Sequence, residues 1–186
     1  MAEVKSAKVG GLEGPLLVQL RVFNDARGFF VERFHRREFE VAGLPTNFVQ
    51  DNHSRTRPGV VRGMHFQHSP AQGKLVGVAH GRVWDVIVDV RAKSPTFGQH
   101  YGCELSDENG RMIWVPAGFA HGFCVLGEEP ADVIYKVTEF YDAKKEGGIH
   151  CLDRDLAISW PLEKPDLSER DQSLGSFRDY RQSPVF

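Results

Sequence analysis

The chain has 186 residues, 41% of them hydrophobic and 26% charged, with a formal net charge of -2. That length suits one domain with a real core, and the near-neutral charge argues against a general nucleic-acid binder, which carries a basic surplus. No apolar run approaches the roughly 20 residues that cross a bilayer, and residues 1–7 lack the apolar centre of a signal peptide. A cytoplasmic protein without membrane or nucleic-acid partners is therefore expected.

Along the chain, residues 16–22 alternate apolar and polar side chains and predict a strand, closed by a turn over Asn24-Asp25-Ala26-Arg27-Gly28. Residues 29–34 read as a second strand. Residues 36–42, stopped by Gly43, form the best short helix. Phe48-Val49-Gln50 and residues 60–67 follow as strands, the latter after Pro58-Gly59. Residues 74–79 and 82–90 flank His80-Gly81 and predict a tight hairpin. On its second arm Trp84, Val86, Val88 and Val90 share one face, and Asp85, Ile87 and Asp89 the other. Residues 112–115 end at Pro116, residues 123–126 and 133–141 continue the pattern, and the tail after Trp160 reads as irregular or weakly helical. Many short strands with one or two short helices predict an all-β fold, most naturally a double-sheet jelly roll. The prediction is a single domain over 1–186, its core about 15–161, with the tail carrying Asp171. A doubly wound sheet would need alternating helices that are not here.

Between Asn52 and Trp84 there is no Asp or Glu, while Arg55, Arg57, Arg62, Lys74 and Arg82 all fall there with His53, His65, His68 and His80. Such a setting suits a neutral imidazole acting as a base on an anionic ligand. It suits a divalent metal poorly, because ligand charge normally helps offset the ion. The run from Gly110 through Pro116 and Gly118 to His121 resembles the second motif of the cupins. The first cupin motif fails: His65 and His68 are spaced HxxH and no Glu follows, so strand alternation points them apart. A cupin-type barrel without metal is the better conclusion. A metal-dependent cupin oxygenase is the competing one.

Arg27, Arg55, Arg57, Arg62 and Lys74 form a basic set suited to phosphate and to an oxyanion. Arg55 and Arg57, beside Pro58-Gly59, read most simply as solvated loop charges. Arg62 and Lys74 sit in apolar strands, where an unpaired charge is costly, so a ligand or a buried carboxylate is expected near them. In an unbulged strand Tyr135, Val137, Glu139 and Tyr141 share a face. The tyrosines could be packing residues or one a general acid, and residue types do not choose. Asp171 would pass as a surface acid, or as the carboxylate that His65 lacks locally. Cys103, Cys124 and Cys151 contain no CxxC pair and read as free thiols. Cys124 reads as a small hydrophobe, with a reactive thiol as the alternative.

Together these segments resemble the dTDP-4-dehydrorhamnose 3,5-epimerase family of deoxysugar biosynthesis. The matching stretches are 25–32 (DARGFFVE), 48–54 (FVQDNHS), 61–67 (VRGMHFQ), 72–76 (QGKLV), 85–91 (DVIVDVR), 94–98 (SPTFG), 114–123 (WVPAGFAHGF), 135–136 (YK) and 158–161 (ISWP). The resemblance implies that His65 is the general base, Asp171 its dyad partner, Tyr135 the acid on the opposite face, and Lys74 the cation at the keto oxygen. It implies substrate-binding roles for Arg27, Glu32, Gln50, Asp51, Asn52, Arg62, His121, Glu146 and Arg170, and a thymine-stacking role for Tyr141. It further implies a dTDP-4-keto-6-deoxy sugar substrate, no cofactor, and a homodimer whose N-terminal strands lend residues to the partner's site. The chain departs from the family at Gly77, commonly Arg, at Arg170, usually Lys, and in a Gly127–Pro130 loop one residue longer. These departures bear on whether both carbons or a single one is epimerised. A sugar-nucleotide-binding cupin without turnover is the alternative of another class. Retention of both an acid and a base argues against it.

Overall fold

Alternating apolar side chains fold the chain into two facing sheets, with every ladder between named strands antiparallel. A computed structural model describes residues 4–186; Met1, Ala2 and Glu3, where the stretch read as lacking a signal peptide begins, lie outside the described residues. One sheet has the order β1 (Val4–Lys8), β2 (Leu16–Leu20), β10 (Arg111–Val115), β7 (Lys74–His80), β12 (Ala131–Val137) and β5 (Gln50–Thr56). The other runs β13 (Glu146–Gly148), β6 (Val61–Gln67), β11 (Phe119–Val125), β8 (Arg82–Asp89) and β9 (His100–Ser106). A small hairpin, β3 (Val22–Asp25) with β4 (Gly28–Val31), stands apart from both. Three short helices complete the described residues: α1 (Arg36–Val41), α2 (Glu169–Gln172) and α3 (Phe177–Gln182). This is the expected cupin-like jelly roll, with three helices where one or two were predicted.

The apolar side chains sort into three layers. Val76, Val78, Ile87, Leu105, Ile113, Phe119 and Val133 fill the space between the sheets. The outer face of the six-stranded sheet, with Val18, Leu20, Leu75 and Met112, is covered by Phe39 of α1 and by Leu44. The outer face of the five-stranded sheet, with Met64, Phe66, Val86, Val88 and Cys124, is covered by the tail through Cys151, Leu156 and Phe177. Period-two alternation therefore holds on β8 as predicted, although both of its faces are buried.

Several local expectations fail for physical reasons. His80-Gly81 does not close a hairpin, because β7 and β8 belong to different sheets and the chain crosses between layers there. Gly81 makes that crossing at φ +75, with the Pro130 carbonyl 2.9 Å from where a Cβ would stand. The strand predicted over 48–50 instead starts at Gln50 and runs through a polar stretch to Thr56. Residues 16–22 split into β2 and the arm β3. The strand carrying Tyr135 stops at Val137, so Glu139 and Tyr141 lie on the following loop rather than on its face. β1, β9 and β13 carry too little alternation to have been predicted.

Candidate active site

The sheets part at one end around a cavity of about 620 Å³. Its first wall comes from the six-stranded sheet: Gln50, Asn52 and Ser54 on alternate positions of β5, Tyr135 on β12 and Lys74 on β7. The opposite wall comes from the five-stranded sheet: Arg62 and His65 on β6, His121 and Phe123 on β11, Glu146 on β13. The tail closes the end with Leu167, Ser168, Arg170 and Asp171.

Arg62 and His65 are three apart, so an even strand would aim them oppositely. β6 avoids this with an irregularity: His121 pairs with His65 while Phe123 pairs with Arg62, so three steps on β6 match two on β11. Gly63 makes the bend at φ +130, and a Cβ there would stand 2.5 Å from Cα of Gly122. Only glycine fits, and both Arg62 and His65 reach the cavity.

His65 Nε2 lies 2.7 Å from Oδ1 of Asp171, whose side chain is 5% exposed. The hydroxyl of Ser168, the N-cap of α2, accepts from the Asp171 amide and fixes that turn. Burial alone would raise the Asp171 carboxyl. The hydrogen bond and charge of His65, with the Gly63 amide and Ser168, outweigh it and hold the group below the usual range. Across the cavity, burial and the Glu146 charge push the Tyr135 phenol up, so it stays protonated at neutral pH. Burial lowers Lys74 despite the opposing charges of Glu146 and Asp85. Neither the Tyr135 hydroxyl nor the Lys74 ammonium has a hydrogen-bond partner among the described residues, so both are available to a ligand.

At the mouth, Glu146 Oε2 accepts from the Tyr141 hydroxyl and from Arg170 Nη2, each at 2.7 Å. Gln50 donates to the Asn52 side chain at 2.8 Å and accepts from the Tyr141 amide at 3.1 Å. His121 Nε2 sits 2.8 Å from Asp85 Oδ2.

Three of the residues named from sequence do not line this cavity. Asp51 faces outward: it alternates with Gln50 and Asn52 on β5 and meets Lys136 at 2.8 Å on the opposite face. Arg27 caps the β3–β4 arm, bound to Asp25 and 90% exposed. Glu32 follows that arm. Gly77 is also away from the site, since it alternates with Lys74 and Val76 and faces Met112 on the outer side. Of the supposed loop charges, Arg55 forms a bidentate pair with Asp132 at 2.7 Å, and Arg57 meets Asp166 at 3.0 Å on the cavity rim.

Ser54, Gln72, Phe123 and Ser168 line the cavity and were not named from sequence. Alternation could have found Ser54, two residues past Asn52, and Phe123, two past His121. Nothing local marks Gln72 or Ser168. His68 lies outside the lining, and among the described residues no three His, Cys, Asp or Glu side chains converge as a metal site. Cys124 is buried and its thiol pushed up to about 12 by burial, an inert hydrophobe rather than a nucleophile.

The jelly roll and its two-walled cavity define a cupin-like fold with its candidate active site between the sheets. A sequence model described as dTDP-4-dehydrorhamnose 3,5-epimerase matches residues 10–179, and the chain belongs to that family. It is 52% identical over 166 residues to the dTDP-4-dehydrorhamnose 3,5-epimerase of Pseudomonas aeruginosa, covering 88% of this chain and 91% of that protein. It is 39% identical over 181 residues to the dTDP-4-dehydrorhamnose 3-epimerase of Streptomyces niveus, covering 95% and 87%. The crystal structure of dTDP-6-deoxy-D-glucose-3,5-epimerase from Legionella pneumophila in complex with dTDP-4-keto-L-rhamnose aligns with a TM-score of 0.86 at 44% identity, over 95% of this chain and 93% of that one.

Proposed function

We propose that the protein epimerises carbons 3 and 5 of a dTDP-4-keto-6-deoxyhexose, converting dTDP-4-dehydro-6-deoxyglucose into dTDP-4-dehydro-L-rhamnose. One observation carries the reading: His65 and Tyr135 stand on facing sheets across a single cavity. A sugar ring between them loses a proton on one face and regains one on the other, which is inversion.

The 4-keto group acidifies the hydrogens on both neighbouring carbons, because either carbanion delocalises into an enolate. His65, oriented by Asp171, takes the proton, and Lys74 holds the developing enolate oxygen. Tyr135 delivers its phenolic proton to the opposite face, and solvent restores both groups. Arg62 and Arg170 meet the nucleotide phosphates, with Gln50, Asn52, His121 and Glu146 along the sugar and Tyr141 against the base. No electron is gained or lost, so the chemistry calls for no redox cofactor.

The chain works as one domain over 1–186 and as a homodimer. The β3–β4 arm exposes Phe29 (51%) and Phe30 (63%) next to Arg27 and Glu32. An arm with that apolar tip suits a second copy, carrying Arg27 and Glu32 to the partner's cavity. Buried cysteines with no disulfide suit a reducing cytoplasm, and no helix among the described residues is long and apolar enough to cross a membrane.

Turnover in deuterated water tests the assignment. Label at carbons 3 and 5 is expected, and His65→Ala abolishes it. Label at one carbon assigns a single-centre epimerase. Undiminished uptake in His65→Ala removes His65 from its role.

A further inference from the structure

We infer that Asp85 is a positioning residue for the proton-abstraction step, acting through His121. It holds the imidazole so that its other nitrogen donates to the enolate oxygen beside Lys74. The inference rests on the epimerase reading above.

Asp85 carries a carboxylate into an apolar layer. Asp85 sits on β8 on the face it shares with Ile87, looking into the apolar interior near Phe123 and Cys103. Its exposure is 0%, and a buried charge is costly unless it is fully paired. Asp85 is only half paired. Oδ2 meets His121 Nε2 at 2.8 Å, while Oδ1 has no hydrogen-bond partner among the described residues. Four residues further along the same strand, Asp89 shows what a purely structural carboxylate looks like. It is equally buried, but its oxygens accept from the Arg91 amide and guanidinium and from the Ser94 and Thr96 hydroxyls. A native interior rarely leaves a charged oxygen without hydrogen bonds unless the charge is used.

What the charge faces is the cavity wall. His121 pairs in register with His65 across β11 and β6, so the two imidazoles stand side by side, each bonded through Nε2 to a carboxylate behind it. The carboxylates differ in surroundings. Asp171 also receives the Gly63 amide, which draws off part of its charge, whereas Asp85 shares its charge with no other donor. With Nε2 of His121 engaged by Asp85, Nδ1 is the ring nitrogen left to serve the cavity that His121 lines, and as a donor it carries its proton there. Asp85 also favours the charged form of Lys74. One buried carboxylate thus stands behind two donors aimed where negative charge develops as His65 removes the proton. Such donors act on the transition state more than on the bound ground state.

The test is a double-mutant cycle of Asp85→Asn and His121→Asn, read as kcat, KM, solvent deuterium uptake and dTDP affinity. Asp85→Asn is expected to lower kcat and deuterium uptake about 100-fold, leaving KM and dTDP affinity within about threefold. In the His121→Asn background its further effect is expected to shrink to about tenfold or less, the part that passes through Lys74 rather than through that ring. Wild-type exchange rates in Asp85→Asn, a loss confined to KM and dTDP affinity, or full additivity with His121→Asn each overturn the inference. If Asp85→Asn does not fold, the imidazole ¹⁵N shifts of His121 in the wild type decide instead. A proton on both Nδ1 and Nε2 is expected, and an unprotonated Nδ1 overturns it. Absence of wild-type deuterium uptake would sink the epimerase reading itself, which these comparisons otherwise leave standing.

Discussion

The two outer faces of the sandwich are covered by the same physics to different ends. On the six-stranded sheet, α1 lays Phe39 over Val18, Leu20 and Met112, and neither α1 nor Leu44 lines the cavity. On the five-stranded sheet the cover is the C-terminal tail, anchored by Leu156, Phe177 and Tyr180. That same tail carries Arg170 and Asp171 into the cavity. Burying apolar area therefore stabilises the fold on both sides, but on one side it also assembles the dyad. A covering segment that delivers a functional group cannot loosen without cost to function.

Substitutions in each cover separate the two roles. The largest effect is expected from Asp171→Asn, which keeps the shape of the turn but removes the charge behind His65 and turns one of two acceptor oxygens into a donor. Deuterium uptake should fall about 1,000- to 10,000-fold with the far-UV spectrum unchanged. A loss below tenfold would detach the tail from catalysis. Next come Phe177→Ala and Phe39→Ala, each expected to cost about 3–5 kcal/mol in urea unfolding. Only the first should also lower the kcat of the folded protein, by about an order of magnitude, through misplacement of Asp171. Equal kcat in the two variants would show that the covers do not differ.

A smaller effect follows from pH. Asp171 is held below its ordinary value of 3.8, so its contribution to stability is fully present above that value and is lost as pH falls through the lower folded value. Acid unfolding of Asp171→Asn should accordingly be shallower than that of the wild type. The smallest effect is expected at Arg55→Ala, which removes an exposed guanidinium from the buried Asp132 carboxylate and leaves it His53 alone. It should cost about 1–2 kcal/mol of stability and leave deuterium uptake as it was.

Legibility in the sequence followed the strength of alternation. On β8 the division between Trp84, Val86, Val88, Val90 and Asp85, Ile87, Asp89 was readable, because strand geometry alone sets it. The bend near Gly63 was readable as a conflict of parity between Arg62 and His65, which the register shift resolves. β5 was nearly invisible. Its inward residues Gln50, Asn52 and Ser54 face a cavity rather than a core, so the strand lacks the apolar period that announces one. The crossing at His80-Gly81 was misread because a tight turn and a change of sheet use the same residue types. Asp171 could be named, by resemblance, but no local pattern brings it within 2.7 Å of a residue more than a hundred positions earlier. That distance is set by how the tail packs.

The buried cysteines give the molecule two internal clocks. Burial pushes the thiols of Cys124 and Cys151 up to about 12 and about 11, and raises Cys103 as well, so thiolate is scarce at neutral pH and shielded from reagents. Each sulfur reacts only when the layer around it opens. Cys103 lies between the sheets, whereas Cys124 and Cys151 lie beneath the tail. Their labelling rates time two separate events, the parting of the sandwich and the lifting of the segment that completes the dyad.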